Sequence, residues 1–465
     1  MKFIRQCDNS TDVQDQGITD GQNTCAYGQI PGIFDNLQDF FIKKGIGIEA
    51  PLVLECENSL NAALILLYLL EKDYSFLLIP PEKNASETPA FCRFRMKTGG
   101  DRNAPDPDAF LHIAENRQWN GKCSDPADAK LYLRTSGSTG IPKLAVHSHI
   151  RLRQNALNCL ERLGLDSSDR VAVPVPVFHM FGLGAAFLPS VIAGANIDLQ
   201  KGANVLTYMQ RERIFIPNAA FMTPIFCENL LKVRKSSRAY RLTVTAGDRF
   251  RGEGSFAKYE SFFGCTVNLY GSTEMGAISA SHPTDSFSDR SETAGRPMNG
   301  VQMRIKEDKA EMGELWCRHE SGFYGYADTE GNALALSPEN REGWFSTRDM
   351  GRIRADGRIQ IMGRCDHSVN RDGLLVFFAD VEKAMKTIKG IESVVVVSKG
   401  ETSRGKGIVA CCAVDKKLEI KDKDIRNACF EILPARAVPD EIVIFENFPM
   451  LASGKVDRQR IGQMV

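Results

Sequence analysis

The sequence lacks the features of a secreted, membrane-spanning or nucleic-acid-binding protein. Its 58 Lys and Arg residues are matched by 58 Asp and Glu residues, so no net charge attracts the chain to a polyanion. The longest apolar run, residues 62–70, is shorter than the about 20 residues of a membrane helix and predicts a buried helix. The amino-terminal segment, MKFIRQCDNSTDVQDQG, is polar and has no apolar leader core. We therefore expect a cytoplasmic protein with no membrane span and no nucleic-acid partner.

Cysteine is present, but not in a pattern that indicates disulfides or zinc. The 13 cysteines are odd in number and scattered, and no two of them form a CxxC pair. Cys411 and Cys412 are adjacent within an apolar, strand-like run. The pattern favours reduced, mostly buried thiols, and no ligand spacing supports a zinc site.

The chain of 465 residues, 43% of them hydrophobic, is long enough for at least two domains. From residue 52 to about residue 264, apolar strand-like runs alternate with helical stretches, which predicts an α/β architecture with largely parallel sheets. Strands are expected at 129–134, 170–177, 241–245 and 266–270, and helices at 150–163 and 182–193. Residues 83–128 are polar and rich in Pro and Asp, so we expect a long surface connection there.

The pattern changes after about residue 295. Short strands separated by glycine turns are expected at 303–306, 313–318 and 357–362, and they predict a small barrel-like part. From residue 365, helices and strands alternate in a block large enough to fold by itself. The prediction is therefore a large domain of parallel-type sheets over residues 1–364 and a small, mobile α+β domain over residues 365–465.

The most informative segment is a Ser/Thr/Gly loop that follows a strand, TSGSTGIPK at residues 135–143. Gly137 and Gly140 let the backbone approach an anion and direct N–H groups at it. Hydroxyl donors and one cation complete the predicted polyphosphate site, in the order Thr135, Ser136, Ser138, Thr139 and Lys143. The spacing is not that of a Walker loop. Taken alone, the segment is equally typical of a flexible surface turn.

Five motifs, taken in order, resemble the adenylate-forming superfamily of acyl- and aryl-CoA synthetases, peptide-synthetase adenylation domains and luciferases. They are the 135–143 loop, NLYGSTEMG at 268–276, WFSTRDMG at 344–351, GRCD at 363–366 and ASGKVDR at 452–458. Each motif alone is a hypothesis, but five in family order are not expected by chance.

The resemblance implies the residues that bind ATP. Tyr270 would stack on adenine, Asn268 would bond its exocyclic amine, and Asp349 would accept from the ribose hydroxyls. Further contacts would come from Ala246, Gly247, Asp248, Gly271 and Arg364. On the phosphate side, Thr273 would donate to the α-phosphate and Glu274 would hold Mg²⁺, a hard cation suited to a carboxylate.

The resemblance also implies a catalytic lysine on the small domain. Lys455 would bridge the substrate carboxylate and the α-phosphate, although a Gly-Lys pair is also typical of a solvated turn. Asp366 would be the hinge about which the small domain rotates after adenylation. Gly373 would then lie on the face that admits a pantetheine arm.

The acid pocket is expected around Pro-Val-Phe-His at 176–179, which resembles a segment of acyl- and aryl-CoA synthetases. Between Phe178 and Ile197 there is no acidic residue to pair with a substrate ammonium, so an aryl or aliphatic acid is expected. The predicted pocket residues are Phe178, His179, Phe221, Met222, Thr223 and Met275. His179 is either catalytic, by gating the pocket, or a packed, hydrogen-bonded residue.

The expected reaction is activation of the acid as acyl-AMP, with ATP and Mg²⁺, followed by transfer to the thiol of CoA or of a separate acyl carrier protein. Three alternatives remain: a nucleotide-binding regulator or scaffold without catalysis, an amino-acid-activating enzyme, and a luciferase-like oxidative enzyme. Departures from the family pattern bear on this choice: Arg348 replaces a glycine, Asn370 a lysine and Leu451 a threonine.

Overall fold

The protein is described by a computed structural model covering residues 2–4, 16–81, 87–99, 107–135, 143–234, 238–250, 254–306, 311–336, 340, 342–371, 374–402, 405–415, 418, 420–450 and 456–465. The chain divides into two compact units. The larger unit contains residues 1–303, 317–345 and 354–360, and the smaller contains 304–316, 346–353 and 361–465. The smaller unit thus also contains residues 304–316, 346–353 and 361–364, which lie outside the predicted 365–465 domain. Across the described ranges, every helix is too short or too polar to cross a membrane.

The strands, in chain order, are β1 (Gly17–Thr19), β2 (Thr24–Ala26), β3 (Leu52–Glu55), β4 (Phe76–Ile79), β5 (Phe94–Thr98), β6 (Leu111–Glu115), β7 (Lys130–Thr135), β8 (Lys143–Ser148), β9 (Arg170–Val173), β10 (Asn196–Leu199), β11 (Ala219–Met222), β12 (Tyr240–Thr245) and β13 (Gly264–Ser272). They continue with β14 (Gly276–Ala280), β15 (Arg296–Pro297), β16 (Gln302–Ile305), β17 (Gly313–Arg318), β18 (Gly325–Ala327), β19 (Ala333–Leu334), β20 (Phe345–Ile353), β21 (Ile359–Arg364), β22 (Ser368–Arg371), β23 (Leu374–Phe377), β24 (Ile391–Thr402), β25 (Gly405–Val414) and β26 (Glu441–Phe445).

The α-helices are α1 (Ile30–Lys43), α2 (Leu60–Glu71), α3 (His149–Leu163), α4 (Leu188–Ala193), α5 (Val205–Phe215), α6 (Pro224–Val233), α7 (Ser255–Phe263), α8 (Phe287–Glu292), α9 (Phe378–Met385), α10 (Asp422–Ile432) and α11 (Arg458–Met464). The apolar run 62–70 lies in α2, where every residue from Leu60 to Leu70 is buried, as the sequence predicts. The helix expected at 182–193 begins instead as a π-helical segment, Phe181–Phe187, and becomes α4 only at Leu188.

A nine-stranded sheet of the larger unit has the order β15-β14-β13-β12-β11-β9-β10-β1-β2. The strands from β13 to β1 pair in parallel, which is the arrangement predicted from the alternation of strands and helices. The apolar residues of these strands are buried in two clusters, one on each face. Strands covered on both faces read as continuous apolar runs. The α/β fold class with parallel-type sheets is thereby confirmed.

An eight-stranded sheet has the order β19-β18-β8-β7-β4-β3-β5-β6. It corrects the prediction for residues 83–128, because β5 and β6 form its edge and do not belong to a surface connection. In β5, Phe94, Met96 and Thr98 are buried on one face of the sheet, while Lys97 is exposed and Arg95 pairs with the buried Glu55 at 2.6 Å. The Pro- and Asp-rich stretch near residue 105 masked this short alternating pattern in the sequence.

The smaller unit contains an α+β block at its carboxyl end. Its sheet has the order β23-β22-β25-β24, with β26 paired in parallel to β25. Cys412 faces one apolar cluster and Cys411 the other, so the sheet is covered on both sides. A further four-stranded sheet has the order β16-β17-β20-β21. Its strands β16, β17 and β21 are the short strands expected after residue 295, whereas β20 was not predicted. The 12 cysteines that the structure describes are free thiols.

Candidate active site

The ends of the predicted phosphate loop are brought together by β7 and β8. The two strands pair antiparallel, and Thr135 lies opposite Lys143. The Thr135 hydroxyl donates to the Lys143 carbonyl at 3.2 Å. This pairing fixes where the loop begins and ends, whereas Ser136, Gly137, Ser138, Thr139 and Gly140 lie outside the described residues.

Parallel pairing of β12 and β13 places two predicted nucleotide-binding segments side by side. Thr245, the last residue of β12, lies opposite Asn268 in β13, so Ala246 to Asp248 follow directly after this pair. The Asn268 side chain accepts from the Thr245 hydroxyl at 2.8 Å and donates to the Arg290 carbonyl at 2.8 Å. These bonds fix the amide orientation, so a bond to adenine would use the oxygen that Thr245 already contacts.

The turn that carries Thr273 and Glu274 connects β13 to β14. The Met275 N–H donates to the Ser272 hydroxyl at 3.0 Å, which closes the turn. The Glu274 carbonyl accepts from the Phe323 N–H at 2.8 Å. The half-buried Glu274 carboxylate accepts from the Tyr326 hydroxyl at 2.8 Å.

A buried histidine holds the same turn from β8. The Nε2 atom of His147 lies 2.8 Å from the Thr273 carbonyl, so its tautomer carries the proton on Nε2. Burial lowers the pKa of His147 to about 4, although the bond to Thr273 acts in the opposite direction. The neutral imidazole is therefore the form that the fold keeps at neutral pH.

Neither His147 nor Tyr326 is indicated by the sequence patterns. His147 follows the short apolar run 144–146 soon after the loop, which is a weak local signal. Tyr326 is a tyrosine in a short strand and has no local signal. The contacts of both residues join segments more than 50 positions apart in the chain, and such contacts leave no periodicity in the sequence.

The aromatic residues predicted for the acid pocket lie in the larger unit, next to other rings. The rings of Phe178 and His179 are 4.5 Å apart, and those of Phe181 and Phe221 are 6.2 Å apart. His179 is exposed, whereas Phe221 is fully buried. Because the His179 imidazole is exposed, it can contact a ligand. Its role in gating the pocket stays a prediction.

Two other residues predicted for this pocket have structural contacts of their own. Phe221 and Met222 alternate along β11 and belong to different apolar clusters. Met222 therefore faces away from Phe221, and its sulfur accepts from the Tyr259 hydroxyl at 3.6 Å. Thr223 caps α6 by accepting from the Phe226 N–H at 3.4 Å.

Predicted ribose contacts lie in the smaller unit. The Thr347 hydroxyl donates to the Leu315 carbonyl, and the Asp349 N–H donates to the Thr347 hydroxyl at 3.1 Å. Between them, Arg348 has a φ of 57°, in the left-handed region that favours glycine. Arg364 pairs with Asp349 at 3.3 Å.

The remaining predicted residues of the smaller unit are outside the description. Lys455, Gly373 and Leu451 lie outside the described residues, as do the side chains of Asp366 and Asn370. The backbone of Asp366 lies in a 3₁₀ turn, Cys365–His367, directly after β21.

Comparisons with known proteins identify the family. The family of AMP-binding enzymes matches residues 75–327, and the AMP-binding enzyme C-terminal domain matches residues 380–455. A salicylyl-CoA synthase / salicylate adenylyltransferase from Streptomyces sp is 27% identical over 73% of this chain and 64% of its own length. A putative acyl-CoA synthetase, YngI, from Bacillus subtilis (strain 168) is 26% identical over 70% of this chain and 62% of its own. The chain thus matches less than two thirds of the length of these two relatives.

Solved structures show the same fold. The ATP-bound MatB of Rhodopseudomonas palustris has a TM-score of 0.78 with 16% identity, covering 98% of this chain and 97% of that one. At this identity the likeness establishes the fold, and the match to more than half of the sequence establishes the family. The chain belongs to the AMP-binding enzymes of the adenylate-forming superfamily.

Proposed function

We propose that the protein is an AMP-forming acid–thiol ligase that activates an aryl or aliphatic carboxylic acid as acyl-AMP. One observation supports this most directly: the Lys143 cation and the Glu274 carboxylate both contact Tyr326. The end of the phosphate loop and the predicted metal ligand therefore lie at one place in the larger unit. ATP needs such a pair, a cation for its phosphates and a carboxylate for the accompanying metal.

The donor set fits Mg²⁺. Tyr326 occupies one oxygen of the Glu274 carboxylate, and the other can face a cation. Within the described ranges, no group of three or more metal-ligating side chains gathers to hold an ion alone. Mg²⁺ is commonly bound by one or two carboxylates together with substrate phosphates. When bound, it would neutralise charge on the phosphates.

In the first half-reaction, a carboxylate oxygen attacks the α-phosphorus, the bond to the β-phosphate oxygen breaks, and pyrophosphate leaves. The two anions repel each other, so cations and N–H donors must offset the repulsion. We assign Lys143 to the leaving phosphates, Thr273 to the α-phosphate and Lys455 to the bridge between carboxylate and phosphorus. Asp349 and Arg364 would hold the ribose side.

In the second half-reaction, a pantetheine thiol loses its proton and attacks the acyl carbonyl, and AMP leaves. We propose that the segment around Asp366 is the hinge that withdraws Lys455 and brings Gly373 to the site. CoA and a separate acyl carrier protein present the same thiol, and both remain candidates. Salicylyl-CoA synthase, the name of one relative, favours CoA.

The acid is proposed to lack an α-ammonium. The first acid after the pocket segment, Asp198, is fully buried and bonds Arg211 and Gln200, so it is already neutralised. An ammonium in the aromatic pocket would lack a carboxylate from this segment, and burying an unpaired charge is costly. We therefore expect benzoate-like or fatty acids to be activated in preference to amino acids.

The test measures pyrophosphate release across a panel of aryl, fatty and amino acids, with hydroxylamine present to convert the acyl-AMP to a hydroxamate and AMP. Lys455→Ala should lower release by about 100-fold or more, as expected for loss of a group that stabilises transition-state charge. Lys423→Ala removes an exposed lysine of α10 and should leave release unchanged. If none of the aryl or fatty acids supports pyrophosphate release, the scaffold alternative is favoured. Full activity of Lys455→Ala would refute the catalytic assignment. Preferential activation of an amino acid would overturn the pocket assignment.

A further inference from the structure

Tyr326 lies between the two charged groups that the proposed function assigns to ATP and Mg²⁺. Its hydroxyl donates to Glu274 Oε1 at 2.8 Å, and Lys143 Nζ lies 5.6 Å from its ring centroid. We propose that Tyr326 is a positioning residue, which orients the Glu274 carboxylate for the metal and holds the Lys143 ammonium for the phosphates. This inference rests on the proposed function but has a test of its own.

The tyrosine is itself held in place. β18 pairs antiparallel with β8, and Tyr326 lies opposite Ala145, two residues after Lys143. The Phe323 ring packs edge-on against the Tyr326 ring, with centroids 5.0 Å apart. The Phe323 N–H also bonds the Glu274 carbonyl at 2.8 Å. The same short segment therefore fixes both the tyrosine and the backbone of its carboxylate partner.

Neither contact of Tyr326 neutralises the charge that it orients, so Glu274 and Lys143 can still bind ligands. A phenol is neutral, so its hydrogen bond orients the carboxylate without neutralising it. A ring face attracts an ammonium only weakly, so the Lys143 ammonium can leave the ring for a phosphate. A direct ion pair between Lys143 and Glu274 would instead neutralise both groups before ATP arrived. Tyr326 thus orients the Glu274 carboxylate and the Lys143 ammonium without pairing them, so the carboxylate can bind the metal and the ammonium can bind the phosphates.

The chain offers a matched control in Tyr324, next to β18. Its hydroxyl donates to a carboxylate, Asp128, at 3.3 Å, and its ring lies under Lys130 and Arg151. The two tyrosines therefore make the same kinds of contact from the same segment. Only Tyr326 makes them with the groups assigned to ATP and Mg²⁺.

The experiment compares Tyr326→Phe, Tyr326→Leu and Tyr324→Phe in the full chain. Equilibrium binding of ATP is measured with Mg²⁺ and with the metal chelated, and ATP–pyrophosphate exchange is measured where an acid substrate has been found. Tyr326→Phe keeps the ring and loses the hydroxyl. It should weaken Mg·ATP binding about 5- to 10-fold, as expected for one hydrogen bond, and leave metal-free binding unchanged. Tyr326→Leu should also weaken metal-free binding, because the ring face is lost.

Tyr324→Phe should change neither affinity. Equal effects of the two phenylalanine variants would overturn the proposal, as would a Tyr326→Phe effect that is the same with and without Mg²⁺. A loss of kcat with unchanged KM for ATP would also contradict it. Because binding is measured without an acid, failure of every acid in the exchange assay would count against the proposed function and not against this inference.

Discussion

Two turns that carry predicted ATP contacts are held in different ways. The turn 272–275, in the larger unit, is fixed from outside by His147, Phe323 and Tyr326. The turn 347–349, in the smaller unit, is fixed by bonds of its own strand and of Leu315, with Arg348 in a left-handed conformation. The first matches the family motif in sequence, and the second departs from it yet keeps a glycine-like backbone. Neighbouring hydrogen bonds can therefore hold a non-glycine residue such as Arg348 in a backbone conformation that favours glycine.

The largest difference between the two units should appear in acid, which should destabilise the larger unit through its buried histidines. Burial lowers the pKa of His147 and of His149 to about 4, from 6.5. Below pH 6.5 the unfolded chain takes up protons that the fold excludes, so stability falls as the pH drops from 6.5 towards 4. The loss should reach about 3 kcal/mol for each histidine. Hydrogen exchange of peptides from the larger unit, measured from pH 7 to pH 4.5 with correction for intrinsic rates, tests this.

The control for the acid effect is a histidine on the surface. His147→Gln should reduce the pH dependence by about one proton, while His112→Gln, at an exposed position on β6, should leave it unchanged. A pH dependence that survives His147→Gln at full size would show that this histidine does not carry the effect.

The next effect in size concerns Gly276, at the end of the first turn. Its φ is +64°, and an added Cβ would lie 2.4 Å from Asn155 Oδ1. Asn155 cannot yield easily, because it bonds the Gly184 carbonyl and the Ala277 N–H, both at 2.8 Å. Gly276→Ala should therefore cost about 3 kcal/mol, from left-handed strain and one disrupted buried bond.

Gly300 provides the comparison for Gly276. Its φ is +76°, but an added Cβ would meet no atom within 4 Å. Gly300→Ala should cost only the backbone strain, about 1 kcal/mol. Urea unfolding followed by fluorescence measures both variants, and equal losses would mean that Asn155 imposes no constraint.

The smallest effect should come from the second turn. Arg348→Gly removes about 1–2 kcal/mol of left-handed strain from the folded state. The glycine also raises the conformational entropy of the unfolded chain, which offsets part of that gain in stability. We expect a net gain of about 0.5–1 kcal/mol. Arg352→Gly, at an exposed position of the same strand, should instead lose about 0.5–1 kcal/mol. Urea midpoints read by hydrogen exchange in the smaller unit decide the sign, and destabilisation by both changes would show that the arginine side chain stabilises the turn.

The same contrast shows what the sequence could predict. Local patterns were sufficient for strands such as β7 and β17 and for helix α3, whose bounds lie within a residue or two of the expected ones. The loop 135–143 was recognisable because glycines, hydroxyls and a lysine occur there in a fixed order, and the later motifs were recognisable because they follow the loop in the order of the family.

What the sequence could not predict depends on contacts between distant segments. The roles of His147 and Tyr326 arise only when β8, β18 and the 272–275 turn meet. The π-helical segment Phe181–Phe187 also has a non-local contact, since the Asn155 side chain of α3 donates to the Gly184 carbonyl at 2.8 Å. Periodicity predicted an ordinary helix there, because spacing along the chain carries no information about a partner on another helix.

The place of β1 in the nine-stranded sheet has a consequence during synthesis. Ile18 pairs with Ile197, a partner made 179 residues later. At about 5–20 residues per second, a ribosome needs roughly 10–40 s to supply that partner. Until then, the hydrogen-bonding edge of the β1–β2 hairpin has no native neighbour. A chaperone that covers this hairpin on the nascent chain should therefore raise the yield of folded protein more than one that acts after release.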